Sequence, residues 1–335
     1  MTYVQATTGG GGWPMSVWLT PDLKPFLGGT YYPPEDKWGR PGFKTVLTRV
    51  AEAWASDRDR IVAAAEDTLK RLREAAAAAP DAALALDAKL LDDAYAQIKA
   101  SYDPRHGGFG GAPKFPRPSA PDFMLRYYAR TPGQSSGQAG ARDALDMTLH
   151  TLRAMAEGGM HDQLGGGFHR YSVDERWHVP HFEKMLYDQG QLACTYLDAY
   201  QLTRDPFFAD VARGILDYVL RDMAGPEGQF YSAEDANSDI PGRPGEHAEG
   251  AFYVWEHDEV ADVLGGDAAA IFRFNYGVEP GGNVRDDPHG EFPRKNVLYV
   301  AHSIEDTAKR FDETPAAMRE FLAEARAKFL TRRAA

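Results

Sequence analysis

Glycine-rich loops that each carry an aromatic residue recur along this chain at nearly constant spacing. They surround Phe109, Phe168 and Phe230, which lie 59 and 62 residues apart. The segments between them place apolar residues at helical spacing, as at Leu145 and Leu152. A repeat of this length indicates one supersecondary unit used several times, here two helices joined by a loop. The pattern therefore predicts a toroid of helical hairpins whose loops gather at one end around a cavity.

The first forty residues have a different period. Residues 15–20 form a short run of aromatic and β-branched residues, followed by a turn and a second such run, which is typical of an antiparallel hairpin. The pattern then becomes helical and ends in the alanine-rich stretch 75–86. We therefore expect an α/β domain over residues 1–80 and a mainly α domain over residues 87–335.

The composition limits the class of protein and the partners that can be expected. The chain has 335 residues, of which 43% are hydrophobic and 26% charged, as in ordinary globular proteins. Its net charge of −12 disfavours a nucleic-acid partner, and we find no apolar run long enough for a membrane helix. The single cysteine, Cys194, excludes an internal disulfide and a cysteine-rich zinc site within this sequence. We expect a cytoplasmic protein with neither a nucleic-acid nor a membrane partner.

Four of the ten histidines fall within 21 positions around Phe168: His161, His169, His178 and His181. A catalytic zinc site commonly uses two histidines one helical turn apart. Here the proline of "HVPH" prevents such a helix, and the other spacings are unspecific. We therefore expect neither a metal ion nor a cofactor at this loop.

The same loop holds residue types suited to acid/base work on a sugar. Glycosidases use paired carboxylates, a histidine can move a proton beside a carbonyl, and aromatic rings stack on sugar rings. The predicted catalytic residues, expected to face one shared cavity, are His169, Asp174, His178, His181, Glu234 and Asp235. The predicted substrate-binding residues are Tyr171, Trp177, Glu183, Asp188 and Tyr231. The alternative is that these side chains only hydrogen-bond within their own loops.

Three longer motifs carry a family resemblance: "GGGGWPMSVWLTPDLKPFLGGTYYPP", "GGFGGAPKFPRP" and "GGGFHRYSVDERWHVPHFEKMLYDQGQL". Together they closely resemble the spermatogenesis-associated, thioredoxin-domain-containing protein family, over essentially the whole chain. The resemblance implies a thioredoxin-like N-terminal domain followed by a six-hairpin (α/α)6 barrel of the glycosidase and N-acylglucosamine 2-epimerase type. The expected fold class is thus α/β, partial thioredoxin-like, followed by a mainly α, incomplete (α/α)6 toroid.

The resemblance also implies that parts of the family pattern are missing. Family members carry a Cys-His-Trp-Cys type motif upstream of "GGWPM", which this sequence lacks. We expect the C-terminal half of a thioredoxin-like domain and about four of six hairpins, a truncation whose uncovered helix faces would favour self-association. Pro14 matches the cis proline that lines the substrate groove of thioredoxin-like folds; a trans proline at a strand start is the alternative. Cys194 is expected to be an inert core thiol, so thiol–disulfide exchange is not expected.

Three functions remain open at this point. The first is a carbohydrate-modifying barrel, either an epimerase or a glycoside hydrolase, with a small-molecule carbohydrate as its partner. The second is a barrel that binds a sugar or a protein without catalysis. The third is a thiol-redox protein, in a full-length form only. Fold analogy alone cannot choose among them.

Overall fold

The structure of this protein is a computed structural model. It describes residues 1–37, 39–77, 87–130, 138–285, 287 and 290–334. The chain divides into two compact units, Met1–Leu86 and Asp87–Ala335. Most of the alanine-rich stretch that predicts the domain boundary lies outside the described residues.

The first unit combines a short β hairpin with helices. Its described elements are α1 (Thr2–Thr8), β1 (Ser16–Leu19), β2 (Pro25–Gly29), α2 (Phe43–Ser56) and α3 (Arg58–Ala77). The antiparallel pairing of β1 with β2 confirms the hairpin. Asp57, with φ −130° and ψ 29°, ends α2 and splits the predicted long helix in two. Aromatic contacts hold the hairpin to α2, with Phe26 stacked on Trp54 at 5.7 Å between ring centroids.

The second unit is mainly α. Its described helices are α4 (Ala88–Ala100), α5 (Ser119–Ala129), α6 (Gln138–Glu157), α7 (Leu186–Thr203), α8 (Pro206–Asp222), α9 (His257–Leu264), α10 (Gly266–Asn275), α11 (Ile304–Arg310) and α12 (Pro315–Arg333). Consecutive helices pack in pairs: α5 on α6, α7 on α8, α9 on α10 and α11 on α12. The predicted fold class, an α/β part followed by helical hairpins, is confirmed.

Short antiparallel ladders lie between the helices of the second unit. Their strands are β3 (Tyr171–Ser172), β4 (Pro180–His181), β5 (Lys184–Met185), β6 (Ala233–Glu234), β7 (Asn237–Asp239), β8 (His247–Glu249), β9 (Trp255–Glu256) and β10 (Lys295–Asn296). Each strand pairs with one other, β3 with β4, β5 with β6, β7 with β8 and β9 with β10. The ladders bring loops from different hairpins side by side, which positions the site described below.

The largest apolar core of the second unit lies between α6, α7 and α8, where Leu152, Tyr196 and Phe208 are fully buried. Cys194 of α7 does not join it: the thiol is exposed. The prediction of a core thiol is therefore wrong. The buried face of α7 is carried by flanking positions such as Leu192 and Tyr196, and Cys194 turns to the opposite side.

The glycine-rich loops share a backbone contact that supports the repeat. A single antiparallel bridge closes each of them, Tyr102 with Phe109, His161 with Phe168 and Ala224 with Phe230. Phe109 and Phe168 are buried, but Phe230 is 49% exposed. Phe230 therefore does not anchor its loop in the core as the other two rings do.

An aspartate closes each of the first two loops by a hydrogen bond to the backbone. Oδ1 of Asp103 accepts from the N–H groups two and three residues further on, at 2.9 and 3.1 Å. Oδ1 of Asp162 does the same in the second loop, at 3.1 and 3.0 Å. Gly166 then has φ +77°, and a Cβ there would lie 2.5 Å from the Gly214 carbonyl oxygen, so the turn requires glycine.

A buried lysine holds each aspartate in place, and we call each Asp–Lys pair a loop clasp. Lys114 Nζ donates to Asp103 and to the carbonyl oxygen four residues after it, both at 2.7 Å. Lys184 Nζ repeats this on Asp162, at 3.0 and 3.1 Å. The two partners are separated by 11 residues in one loop and 22 in the other, so no common spacing in the sequence indicates the clasp.

Candidate functional site

Two of the histidines in the loop around Phe168 are interior residues. His169 is 1% exposed, its Nδ1–H donates to the Phe182 carbonyl oxygen at 3.0 Å, and burial holds its pKa well below the usual value. His178 lies against Tyr299 with 4.7 Å between ring centroids, and burial lowers its pKa as well. Both rings are therefore neutral at pH 7, packed in the protein and not at its surface.

Asp174 and Trp177 organise their own loop. The carboxylate of Asp174 accepts from the N–H groups of Arg176, His178 and Val179, at 2.7, 3.2 and 2.7 Å. Trp177 is fully buried and donates through Nε1 to the His106 carbonyl oxygen at 3.1 Å, which leaves neither face of its ring open to a ligand. These contacts fit the alternative in which the side chains stabilise the loop.

Glu234 and His169 meet around one tyrosine. Tyr253 donates its hydroxyl hydrogen to Glu234, and the edge of its ring faces His169 with 4.7 Å between centroids. Tyr218 donates a second hydrogen bond to Glu234 at 2.6 Å. Lys184, directly opposite Glu234 in the β5–β6 ladder, lies over both tyrosine rings, 4.1 and 4.8 Å from their centroids. Residues of two neighbouring loops thus meet around Tyr253, and whether His169 and Glu234 share a substrate cavity stays a prediction.

The space between these interior groups is small. The cavity lined by His161, His169, Phe182 and Tyr253 has a volume of about 10 Å³. This is enough for one water molecule and too small for a sugar. Burial lowers the pKa of His161 to about 4. A substrate therefore has to bind further out, at the edge of these loops.

At that edge lies a half-buried group of ionisable and aromatic side chains that we call the rim cluster. Its members are Arg170, Tyr171, His181, Glu183, Asp188 and Glu249. The β3–β4 ladder places Tyr171 directly opposite His181, so the two rings stack with centroids 5.0 Å apart. Phe115, itself 38% exposed, stacks on Tyr171 at 4.7 Å and extends the aromatic surface outward.

His181 is the histidine of this loop whose chemistry is suited to proton transfer. Its Nδ1–H donates to Glu249 at 2.7 Å, and Nε2 is 3.8 Å from Glu183. The hydrogen bond to Glu249 raises the pKa of His181 above its usual value, despite partial burial. Burial favours the neutral form of Glu249, but the hydrogen bond and charge of His181 hold its pKa below the usual value. The pair can therefore carry an imidazolium ion near neutral pH.

Asp188 has a different environment. It lies in the first turn of α7, is 6% exposed, and its Oδ2 has no hydrogen-bond partner among the described residues. Burial raises its pKa to about 6, with the charge of Arg170 opposing and that of Glu183 adding to the shift. Arg170 in turn donates to Glu183 at 2.7 Å. Asp188 is thus a buried acceptor near charged neighbours that do not bond its Oδ2.

The remaining predicted residues lie apart from this group or at its border. Asp235 is exposed and accepts from the N–H of Asn237 at 2.7 Å, while its charge acts on Glu249. Tyr231 is 50% exposed, on the loop that precedes β6. Pro14 belongs to the first unit, where the Trp13–Pro14 peptide bond is cis. Whether these residues take part in a shared site stays a prediction.

Sequence reasoning missed Glu249, Arg170 and Phe115. Glu249 lies 68 residues from its partner His181, in a strand too short to give a periodic pattern. Arg170 lies within the histidine-rich loop, but nothing in its spacing indicates the ion pair with Glu183. Phe115 lies four residues after Gly111, and the glycine-rich stretch before it is the one signal that could have drawn attention to its loop.

The described residues contain no group of three or more histidine, cysteine, aspartate or glutamate side chains arranged to hold a metal ion. Within that same part of the chain, no helix has both the length and the apolar character needed to cross a membrane.

The chain is similar to several known proteins. Residues 1–73 match the family model Thioredox_DsbH, described as "Protein of unknown function, DUF255". Human spermatogenesis-associated protein 20 is 45% identical over 96% of this chain and 42% of its own length, and the mouse protein is 43% identical over the same shares. An uncharacterised Caenorhabditis elegans protein is 38% identical over 97% of this chain and 45% of its own length.

Among solved structures, cellobiose 2-epimerase from Bacillus thermoamylovorans shares 12% identity over 72% of this chain and 69% of its own, with a TM-score of 0.34. We draw nothing about function from a similarity at this TM-score. The chain spans less than half the length of the curated relatives that it matches. Over that span, the predicted resemblance to spermatogenesis-associated, thioredoxin-domain-containing proteins is confirmed.

Proposed function

We propose that the second unit binds a carbohydrate at the rim cluster and transfers a proton to or from it. The observation that carries the proposal is the stack of Tyr171 on His181, with His181 hydrogen-bonded to Glu249. An aromatic surface beside a polar, titratable group suits a sugar, which has apolar ring faces and hydroxyl groups around its edge.

His181 acts in this proposal as the proton-transfer group. Its raised pKa keeps a substantial part of it protonated near pH 7, so that it can donate a proton and take one back. Glu249 positions the ring through Nδ1, which leaves Nε2 to face the substrate and Glu183. This division of roles is the usual one for a histidine oriented by a carboxylate.

Carboxylates at the rim cluster provide the contacts that orient hydroxyl groups. Glu183 is fixed by Arg170, and Oδ2 of Asp188 has no partner among the described residues. The ladders that carry these side chains are supported by His169, by Glu234 and by the loop clasp of Asp162 and Lys184. The interior residues therefore position the site, and the rim residues contact the substrate.

The reaction class is set by which bond His181 serves. Proton exchange at a carbon beside a carbonyl would be epimerase-like, and protonation of a glycosidic oxygen would be hydrolase-like. Incubation of the chain with reducing sugars and β-linked oligosaccharides in D2O, followed by NMR, separates the two. Deuterium at carbon indicates the first class, and new reducing ends indicate the second.

The decisive comparison uses two histidine variants. His181→Gln should lower turnover at least about 100-fold, the usual contribution of one acid/base group. His247→Gln is the matched control, because His247 is exposed on β8 and pairs with Asp239 outside the rim cluster. Binding of sugar without any turnover would support a non-catalytic sugar-binding protein instead. Absence of sugar binding in the wild-type chain would refute the proposal.

A further inference from the structure

The rim cluster has three carboxylates and two groups that can carry a positive charge. The carboxylate left without a cationic partner is Asp188. Arg170 pairs with Glu183 at 2.7 Å, and His181 pairs with Glu249 at 2.7 Å. These two pairs use up the cationic groups of the cluster. Asp188 is left as a carboxylate whose neighbours are already matched.

Asp188 is also too buried for water to compensate fully for its charge. The residue is 6% exposed, and Oδ2 has no protein partner among the described residues. A buried acceptor without a bond is costly, so such a group in a folded protein indicates a missing partner. The partner needed here is a donor, and a positively charged one satisfies the charge as well.

A second unpartnered atom lies in the same cluster. Nε of Arg170 is shielded from solvent and has no hydrogen-bond partner among the described residues, although the terminal NH1 binds Glu183. The charge of Arg170 acts on Asp188, which places the two side chains near each other. The cluster therefore offers one buried acceptor and one buried donor that the described part of the chain leaves unused.

We propose that the carbohydrate bound at the rim cluster is an amino sugar with a free ammonium group. The ammonium group donates to the carboxylate of Asp188 and brings the positive charge that the cluster lacks. The partly exposed ring of Phe115, which ends the row formed by Phe115, Tyr171 and His181, takes the apolar face of the sugar. The inference rests on the proposed carbohydrate function and specifies its substrate class.

Competing sugars fit this arrangement less well. A neutral hexose offers Asp188 a hydroxyl donor but no positive charge, whereas an ammonium group offers a donor and also attracts the carboxylate electrostatically. An N-acylated amino sugar lacks the charge and adds an acyl group beside a buried carboxylate. The chemistry thus favours the unsubstituted amine over both.

Binding measurements with three closely related sugars test this. The full chain is titrated at pH 7 with D-glucosamine, D-glucose and N-acetyl-D-glucosamine, with dissociation constants measured by calorimetry or NMR. We expect D-glucosamine to bind about tenfold more tightly than the other two, because it alone brings a positive charge to the Asp188 carboxylate. Asp188→Asn should remove this preference, so that the variant binds D-glucosamine no more tightly than D-glucose.

Asp198→Asn is the matched control, since Asp198 lies on the same helix but pairs with Arg126 at 3.8 Å near the surface. This variant should keep the preference for D-glucosamine. Equal affinities for the three sugars, or a preference for the N-acetyl form, would overturn the amino-sugar inference and leave the proposed function standing. No binding of any sugar would overturn both.

Discussion

Replacement of Asp188 by asparagine should stabilise the protein increasingly as the pH rises. Folding raises the pKa of Asp188 from its usual value of 3.8 to about 6, chiefly by burial. Because the folded state binds this proton more tightly than the unfolded state, the stability that the group contributes is fully present below about pH 4. It is lost as the pH rises through about 6. The amide of the variant cannot ionise, so the variant avoids that loss.

The size of the effect follows from the shift. About two pKa units correspond to roughly 3 kcal/mol, and partial solvation of the group reduces this to about 1–2 kcal/mol. The quantity to compare is the free energy of unfolding of the variant relative to wild type, measured at each of two pH values. An amide at this position has its own hydrogen-bonding cost, which is the same at both pH values and cancels from that comparison.

The stability difference between wild type and variant is measured by urea unfolding, followed by fluorescence, at pH 4.5 and at pH 7.5. We expect the free energy of unfolding of Asp188→Asn, relative to wild type, to rise by about 1 kcal/mol between the two pH values, because about a third of the effect is already present at pH 4.5. Asp198→Asn, on the same helix and closer to solvent, should show no comparable change. If Asp188→Asn gains nothing on going to pH 7.5, then Asp188 is not a buried, uncompensated carboxylate, and the reasoning fails.

Three further expectations concern the groups that support the site. Lys184→Met should lower the free energy of unfolding by about 3 kcal/mol in urea titrations, because it breaks a buried ion pair that Arg333 only partly replaces. Glu249→Gln should lower the pKa of His181 toward or below its usual value, measured by NMR titration of the ring, since the hydrogen bond to Glu249 is the main cause of the rise. An unchanged titration would contradict that cause. Gly166→Ala should destabilise the protein by about 2 kcal/mol or more and Gly228→Ala by only about 1, because both have positive φ but only the first meets a backbone oxygen. Equal thermal shifts for the two variants would show that the close contact is unimportant.

The loop clasps give these predictions a common physical basis. In each clasp a buried lysine joins an aspartate to the carbonyl oxygen of a glycine turn. The turn is thereby held rigidly although it contains little regular structure. Rigid loops are what allow the side chains of the short ladders to keep a defined position at the edge of the unit.

Local features of the sequence were enough to predict the fold class and to indicate the region of the candidate site. Helical periodicity, the alternation in residues 15–20 and the recurrence of glycine with phenylalanine are properties of neighbouring positions, and so they can be read directly. They predicted the hairpin of the first unit and the helical pairs of the second, and they drew attention to the loop around Phe168 as a candidate site. The same reasoning failed for Cys194. Which face of a helix is buried depends on the elements that pack against it, and these are distant along the chain.

Only the tertiary structure decided what each side chain in that loop does. His169, His178 and His181 look alike in the sequence, yet two are buried and neutral while the third is held at the edge beside Glu249. Asp174 and Asp188 are both aspartates of one segment, but the first is saturated by backbone N–H groups and the second has no partner for Oδ2 among the described residues. The difference arises because protonation, burial and hydrogen bonding depend on partners distant along the chain. Such partners are brought together by the ladders and clasps, and their pairing leaves no periodic trace in the sequence.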